Sequence, residues 1–176
     1  MPYTLTRMMR KVLVIGSGGA GKSTFAAQLG ERTGLPVIHL DALFWHAGWR
    51  ETPREEWAAR VDEMLKGDAW IMDGNYGGTL ERRLAACDTV IWLDFPRALC
   101  LWRIVKRRVI FRGRSRPDMA EGCRERLNWE FVRWVWTYPR AKRPGVLKRL
   151  GELNEGQRFF VLRSPREARR FLEALG

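Results

Sequence analysis

KVLVIGSGGAGKST, residues 11–24, decides the fold. The apolar run at 11–15 has the length and β-branched content of a buried parallel strand, and it ends in a glycine loop. Gly16-Ser17-Gly18-Gly19-Ala20-Gly21-Lys22-Ser23 is a complete G-x-x-x-x-G-K-S match that follows this strand and opens a helix expected over 22–32. Phosphate oxygens need several successive backbone N–H groups that side chains would obstruct, so glycines and Ala20 fill the loop. The first turn of the helix, with Ser23 and Thr24, adds unpaired N–H groups and a positive dipole end. Lys22 then reaches the β- and γ-phosphates of a bound nucleotide, and the Ser23 hydroxyl ligates Mg²⁺.

Further strands are expected at 36–40, 69–73, 89–94 and 157–164. Between them, a helix over 53–66 has Thr52 as N-cap and Pro53 at its first position, and a short helix lies around 79–86. A long helix runs from Pro96 to about Ile110, and another spans about 121–138, broken by Pro139 and Pro144. A closing helix over 165–175 is capped by Ser164. Strands alternating with helices predict an α/β domain, a parallel sheet covered on both faces. Residues 10–176 read as one domain, residues 1–9 as a poorly ordered tail, and 111–154 as a lid and helical insertion.

With 176 residues, 45% of them hydrophobic and 30% charged, the chain suits one globular domain rather than a disordered or coiled-coil protein. The longest uncharged stretch, residues 12–21, is half of what a membrane span needs. No membrane segment or secretory signal is expected, and the predicted location is the cytoplasm. Cys87, Cys100 and Cys123 read as buried thiols of a reducing compartment. The charge is unevenly spread. Residues 97–149 carry 16 basic and 4 acidic residues, so the whole net charge of +12 sits in this segment. It predicts a polyanion ligand, either nucleotide phosphates or a nucleic-acid backbone.

The segments HLDALFW (39–45), WIMDGNYGGTLERRL (70–84), VIWLDFPRALCLWRIVKRR (90–108), GRSRPDMAEGC (113–123) and VLRS (161–164) carry a family resemblance. With the phosphate loop, the chain resembles P-loop kinases of the adenylate, shikimate and gluconate kinase group. More closely, it is similar to bacterial proteins called DNA topology modulation proteins or adenylate-kinase-related ATPases. The resemblance implies a three-layer P-loop fold, a five-stranded parallel sheet of order 2-3-1-4-5 and a lid after the long helix. It implies ATP as phosphoryl donor. Arg103 would stack on the base and Arg107 would grip the transferring phosphate. Four residues apart, the two share one helix face.

Asp73 stands where adenylate kinases carry an Asp-Gly pair whose carboxylate holds water on Mg²⁺, so Ser23 and Asp73 are the expected metal-site residues. Asp41 ends the second strand where sugar-acid and shikimate kinases place an acceptor-contacting aspartate, as base or aligning group. Gly77 replaces an acceptor-phosphate arginine of adenylate kinases, and Leu43-Phe44-Trp45-His46 replaces the region of a second one. An acceptor other than AMP is therefore expected, with Arg82 and Arg83 as alternative phosphate grips or helix-surface residues.

Arg112, Arg114 and Arg116 alternate in a glycine-bounded loop able to close over ATP and exclude water. In 128–143, Trp129, Val132 and Trp136 form a helical stripe expected to pack into the core, the alternative being stacking against nucleobases. The function expected is Mg²⁺-dependent phosphoryl transfer from ATP to a small-molecule acceptor by a monomer or homodimer. The alternative is an ATP-binding, nucleic-acid-interacting protein with weak ATPase activity. Weak nucleic-acid binding through 97–149 fits both.

Overall fold

The computed structural model describes residues 9–175. Five parallel strands form the central sheet: β1 (Lys11–Gly16), β2 (Val37–His39), β5 (Trp70–Asp73), β6 (Thr89–Leu93) and β7 (Arg158–Leu162). Their spatial order is β2-β5-β1-β6-β7. Setting aside the small hairpin described below, this is the 2-3-1-4-5 order expected from the resemblance. β1 lies in the middle, with Val14 paired to Asp73 on one side and Gly16 to Leu93 on the other.

Alternation along these strands sends side chains to two separate cores. Val12, Val14, Ile91 and Leu93 face one core with Phe25, Ala26 and Leu29 of α1 (Lys22–Thr33). The same core takes Cys100 and Ile104 of α5 (Arg97–Ile110), Val135 of α6 (Trp129–Ala141) and Leu172 of α8 (Pro165–Glu173). Leu13, Ile15, Val90 and Trp92 face the other, against Leu80 and Leu84 of α4 (Gly77–Ala86) and Leu150 of α7 (Arg143–Gly151). Both sheet faces are covered, which makes three layers. No described helix is long and apolar enough to cross a membrane.

The structure adds and moves elements. A five-residue helix, α2 (Leu40–Phe44), follows β2 directly, and β3 (Trp45–His46) pairs with β4 (Arg50–Glu51) in a hairpin. α3 (Arg54–Leu65) starts after Pro53, and Thr52 is not its cap. The Thr52 hydroxyl instead donates to the Phe44 carbonyl at 2.6 Å, which closes the hairpin. The helix expected from 121 begins only at Trp129. Asn128 caps it, accepting from the Phe131 amide at 2.7 Å, while backbone bridges Arg112/Glu125 and Ser115/Arg124 hold the preceding segment.

Pro139 lies inside α6 and Pro144 in the first turn of α7, so neither breaks the structure where expected. Proline's fixed φ suits a first helical turn, and burial of Tyr138 holds α6 past Pro139. The Ser164 cap is present, accepting from the Glu167 amide. Cys87, Cys100 and Cys123 are buried free thiols. Met9, assigned above to the tail, is buried in the core. The rest of that tail, residues 1–8, lies outside the described residues.

Candidate active site

The glycine loop joins the carboxyl end of β1 to α1 in the middle of the sheet. Gly19 has φ 78°, and a Cβ there would lie 2.3 Å from the Cys100 carbonyl oxygen. A Cβ on Gly18 would meet the Phe131 ring at 2.6 Å. The loop is thus a backbone cradle roofed by α5 and α6, with no room for side chains at these two positions. Gly16, Ser17, Ala20 and Gly21 complete it, and Ser23 and Thr24 open α1 beside it.

Lys22 donates from Nζ to the Ser17 carbonyl at 3.1 Å. Burial lowers its pKa against the pull of the Asp41 and Asp73 carboxylates, and the Arg107 charge lowers it further. Lys22, Asp41, Asp73 and Arg107, named separately from sequence, therefore share one electrostatic neighbourhood. The Arg103 guanidinium donates to the Ala20 carbonyl at 3.0 Å and lies over the Phe95 ring. This places it against the loop.

Asp73 is buried at the end of β5, next to β1. Its Oδ1 lies 2.9 Å from Nδ1 of His39, its register partner on β2. The hydrogen bond to Asp73 raises the His39 pKa, against the opposing effect of burial. Asp41, in α2, accepts a 2.5 Å hydrogen bond from the Tyr76 hydroxyl. Burial, followed by the Asp41 charge, pushes the Tyr76 phenol far up.

Tyr76 has φ 27°, a left-handed conformation that costs energy for a bulky residue. Arg83 holds it there. Fully buried, Arg83 donates to the carbonyls of Gly74, Asn75 and Tyr76 at 2.9, 2.5 and 3.0 Å, and burial lowers its pKa to about 10. Arg82 pairs with Asp62 on the surface. Arg83 has no terminal nitrogen left for a phosphate. Arg83 is spent on the 74–76 backbone and Arg82 on a helix-surface ion pair.

Residues 122–124 of the segment expected to be a lid reach across to the hairpin. The Cys123 thiol donates to the His46 carbonyl at 3.1 Å, the Gly48 amide to the Gly122 carbonyl at 3.3 Å and the Trp49 indole to the Arg124 carbonyl at 2.9 Å. Within the lid, Glu125 sits between Arg107 and Arg116, whereas Arg112 and Arg114 are exposed. Of the stripe expected to pack, Val132 does and the two tryptophans do not. Trp129 is 84% exposed and Trp136 50%, because α6 turns Phe131, Trp134, Val135 and Tyr138 inward instead. The Arg97 guanidinium lies 3.9 Å over the Trp136 ring.

Sequence reasoning did not find the roles of His39, Asn75, Tyr76, Arg83 and Glu125. The DGNY run at 73–76 carried a signal for Asn75 and Tyr76, since two polar side chains follow a strand-ending Asp-Gly. Nothing local marked Glu125.

No protein-family model matches the chain. Among curated proteins, adenylate kinase of Thermotoga neapolitana is 28% identical over 95 residues, a match covering 52% of this chain and 42% of that protein. Shikimate kinase from Acinetobacter baumannii, solved with shikimate, superposes with a TM-score of 0.55 at 16% identity, over 98% of this chain and 93% of that one. Shikimate kinase from Bacteroides thetaiotaomicron gives 0.53 at 13% identity, over 95% and 96%. The fold is that of a P-loop kinase. At these identities the likeness extends to the architecture alone, and the chemistry must be argued from the residues.

Proposed function

We propose that the protein transfers the γ-phosphoryl group of ATP to a hydroxyl of a small acceptor, with Mg²⁺. The observation that supports this reading is the glycine cradle with Lys22, whose Nζ donates to the Ser17 carbonyl and feels the charges of Asp41, Asp73 and Arg107. The residues fit a Mg-nucleotide. A backbone cradle closed to side chains at Gly18 and Gly19 suits phosphate oxygens. One hydroxyl, Ser23, and one carboxylate, Asp73, suit a cation that takes its remaining ligands from water and phosphate. Mg²⁺ bound there would neutralise charge on the β- and γ-oxygens.

The loop amides and Lys22 hold and polarise the terminal phosphate. Asp41 aligns the acceptor hydroxyl and takes its proton, and the Tyr76 hydroxyl, bound to Oδ1, fixes the orientation of that carboxylate. Arg107 neutralises charge developing on the transferred group, and Arg103 faces the base. Because Arg82 and Arg83 are engaged elsewhere, an acceptor without a phosphate, such as a nucleoside or another hydroxyl compound, fits better than AMP.

A screen of nucleosides, nucleotides, sugars and hydroxy acids for acceptor-dependent ADP release tests the reading, with Lys22→Ala as control. Lys22→Ala should abolish turnover in a folded protein, since Lys22 supplies charge and little packing. Full activity in that variant would end the assignment.

The exposed Trp129 and Trp136, set among Arg97 and Arg133, favour a second reading for the outer face of the lid: contact with nucleic acid through 97–149. Binding held by phosphate contacts alone should fall by about 10³ or more between about 50 and 200 mM salt. Micromolar binding that persists near physiological salt and strengthens with ATP would make nucleic acid the partner rather than a by-product of charge.

A further inference from the structure

Arg107 and Arg116 converge on Glu125, whose side chain is 1% exposed. Arg107 Nε donates to Oε1 at 2.9 Å in a well-formed hydrogen bond. Arg116 Nε lies 2.9 Å from Oε2, yet the two are misaligned and neither atom makes a hydrogen bond. Arg116 completes its own anchorage through Nη1, which donates to Asp118 at 3.0 Å. The backbone holds the carboxylate in place. The Glu125 amide donates to the Arg114 carbonyl at 2.9 Å, and a bridge joins Glu125 to Arg112.

A guanidinium has five donors in a fixed fork. A carboxylate on Nε leaves both terminal Nη groups to grip another anion. For Arg107, the Nε contact is the only hydrogen bond among the described residues that its side chain makes. Two partly buried guanidiniums this close repel each other: burial first, then the Arg116 charge, lowers the Arg107 pKa, opposed by Glu125. An intervening carboxylate makes their shared approach affordable.

We propose that Glu125 is a positioning residue: it holds Arg107 by Nε so that the Nη edge is presented to the terminal phosphate of a nucleoside triphosphate at the glycine loop. The proposal rests on the reading of that loop as the nucleotide site. Glu125 touches neither nucleotide nor acceptor and acts through the orientation of Arg107. A diphosphate lacks the terminal group that Arg107 meets, so Glu125 governs the preference for triphosphate over diphosphate and leaves diphosphate affinity alone.

The test needs no acceptor. Binding of Mg-ADP and of a non-hydrolysable Mg-ATP analogue is measured by calorimetric titration for the wild type, Glu125→Gln, Glu125→Asp, Arg107→Ala and the Glu125→Gln/Arg107→Ala double variant. Glu125→Gln should bind ADP within about twofold of wild type and lose about tenfold in triphosphate affinity, the scale of one charge-assisted hydrogen bond. Arg107→Ala should lose a similar factor, and the double variant should be no worse than Arg107→Ala alone. Glu125→Asp, which keeps the charge on a shorter arm, should restore part of the preference. It also carries the test if Glu125→Gln fails to fold.

A lowered melting temperature with an unchanged triphosphate-to-diphosphate ratio would make Glu125 purely structural and overturn the proposal. So would additive losses in the double variant, or an unchanged ratio in Arg107→Ala. A wild-type protein that binds neither nucleotide would instead overturn the reading of the loop.

Discussion

The Asn75 side chain grips both backbone groups of Gly16. Its Nδ2 donates to the Gly16 carbonyl at 2.7 Å, and its Oδ1 accepts from the Gly16 amide at 3.2 Å. One amide thus ties the loop after β5 to the first residue of the phosphate cradle. Asn75→Ala should lower stability by about 1–2 kcal/mol through two lost hydrogen bonds and weaken nucleotide affinity several-fold, because the loop loses its anchor. Asn75→Asp keeps the acceptor but sets a carboxylate oxygen against the Gly16 carbonyl, and should cost at least as much as Asn75→Ala. Denaturant unfolding and nucleotide titration read the two effects separately.

Asp73→Asn retains an oxygen for His39 and loses the negative charge. The Mg²⁺ concentration for half-maximal turnover should rise about tenfold or more, with a smaller change in metal-free nucleotide binding. An unchanged Mg²⁺ titration would reduce Asp73 to a partner of His39.

Arg83 is a buried cation whose donors satisfy three carbonyls of one strained segment. Arg83→Met should cost about 3 kcal/mol in urea unfolding, since the Gly74 and Asn75 carbonyls lose their guanidinium donor while Tyr76 keeps only Thr79. Arg83→Lys, a point charge without a fork, should recover only part. Substituting Arg82, on the surface, should move stability by less than about 0.5 kcal/mol.

Alkali should unfold the protein. Burial pushes the Cys87 thiol from an ordinary value near 9 up to about 12, and the Tyr138 phenol from near 10 up to about 12. Between these limits the unfolded chain loses protons that the folded one keeps. Folding stability is therefore full below about pH 9 and declines as pH rises toward 12. Arg83, lowered to about 10, offsets part of the decline above that pH; unfolding free energies should still fall across the range, and Cys87→Ser should flatten the lower part of the slope. In the native protein, Cys87 should resist alkylation at pH 8.

The central architecture was legible because strong local signals agree there: a glycine loop between an apolar run and a helix, short strands at regular spacing, and Ser164 ahead of Pro165. Asp41, Asp73, Arg103 and Arg107 were likewise visible as residues; in the fold Arg103 donates to the loop, and the other three act electrostatically on Lys22. What stayed hidden depends on pairing across distance. His39 meets Asp73 through strand register, and Glu125 meets Arg107 only once the lid is folded. Trp129 and Trp136 misled because helical periodicity identifies a stripe without saying which stripe faces inward. Here Phe131, Trp134, Val135 and Tyr138 provided a second, more apolar one, and packing on Gly18 selected it.

The bonds from Cys123, Gly122 and Arg124 to the hairpin at 46–49 join what would be, on the proposed function, the cover of the donor to the wall of the acceptor. Two ligands that each favour this joined arrangement are coupled by linkage, so whichever binds first must raise the affinity for the other by the same factor. A nucleotide would then advertise its presence to the acceptor through one thiol, one indole and one backbone amide, each donating to a backbone carbonyl on the other side.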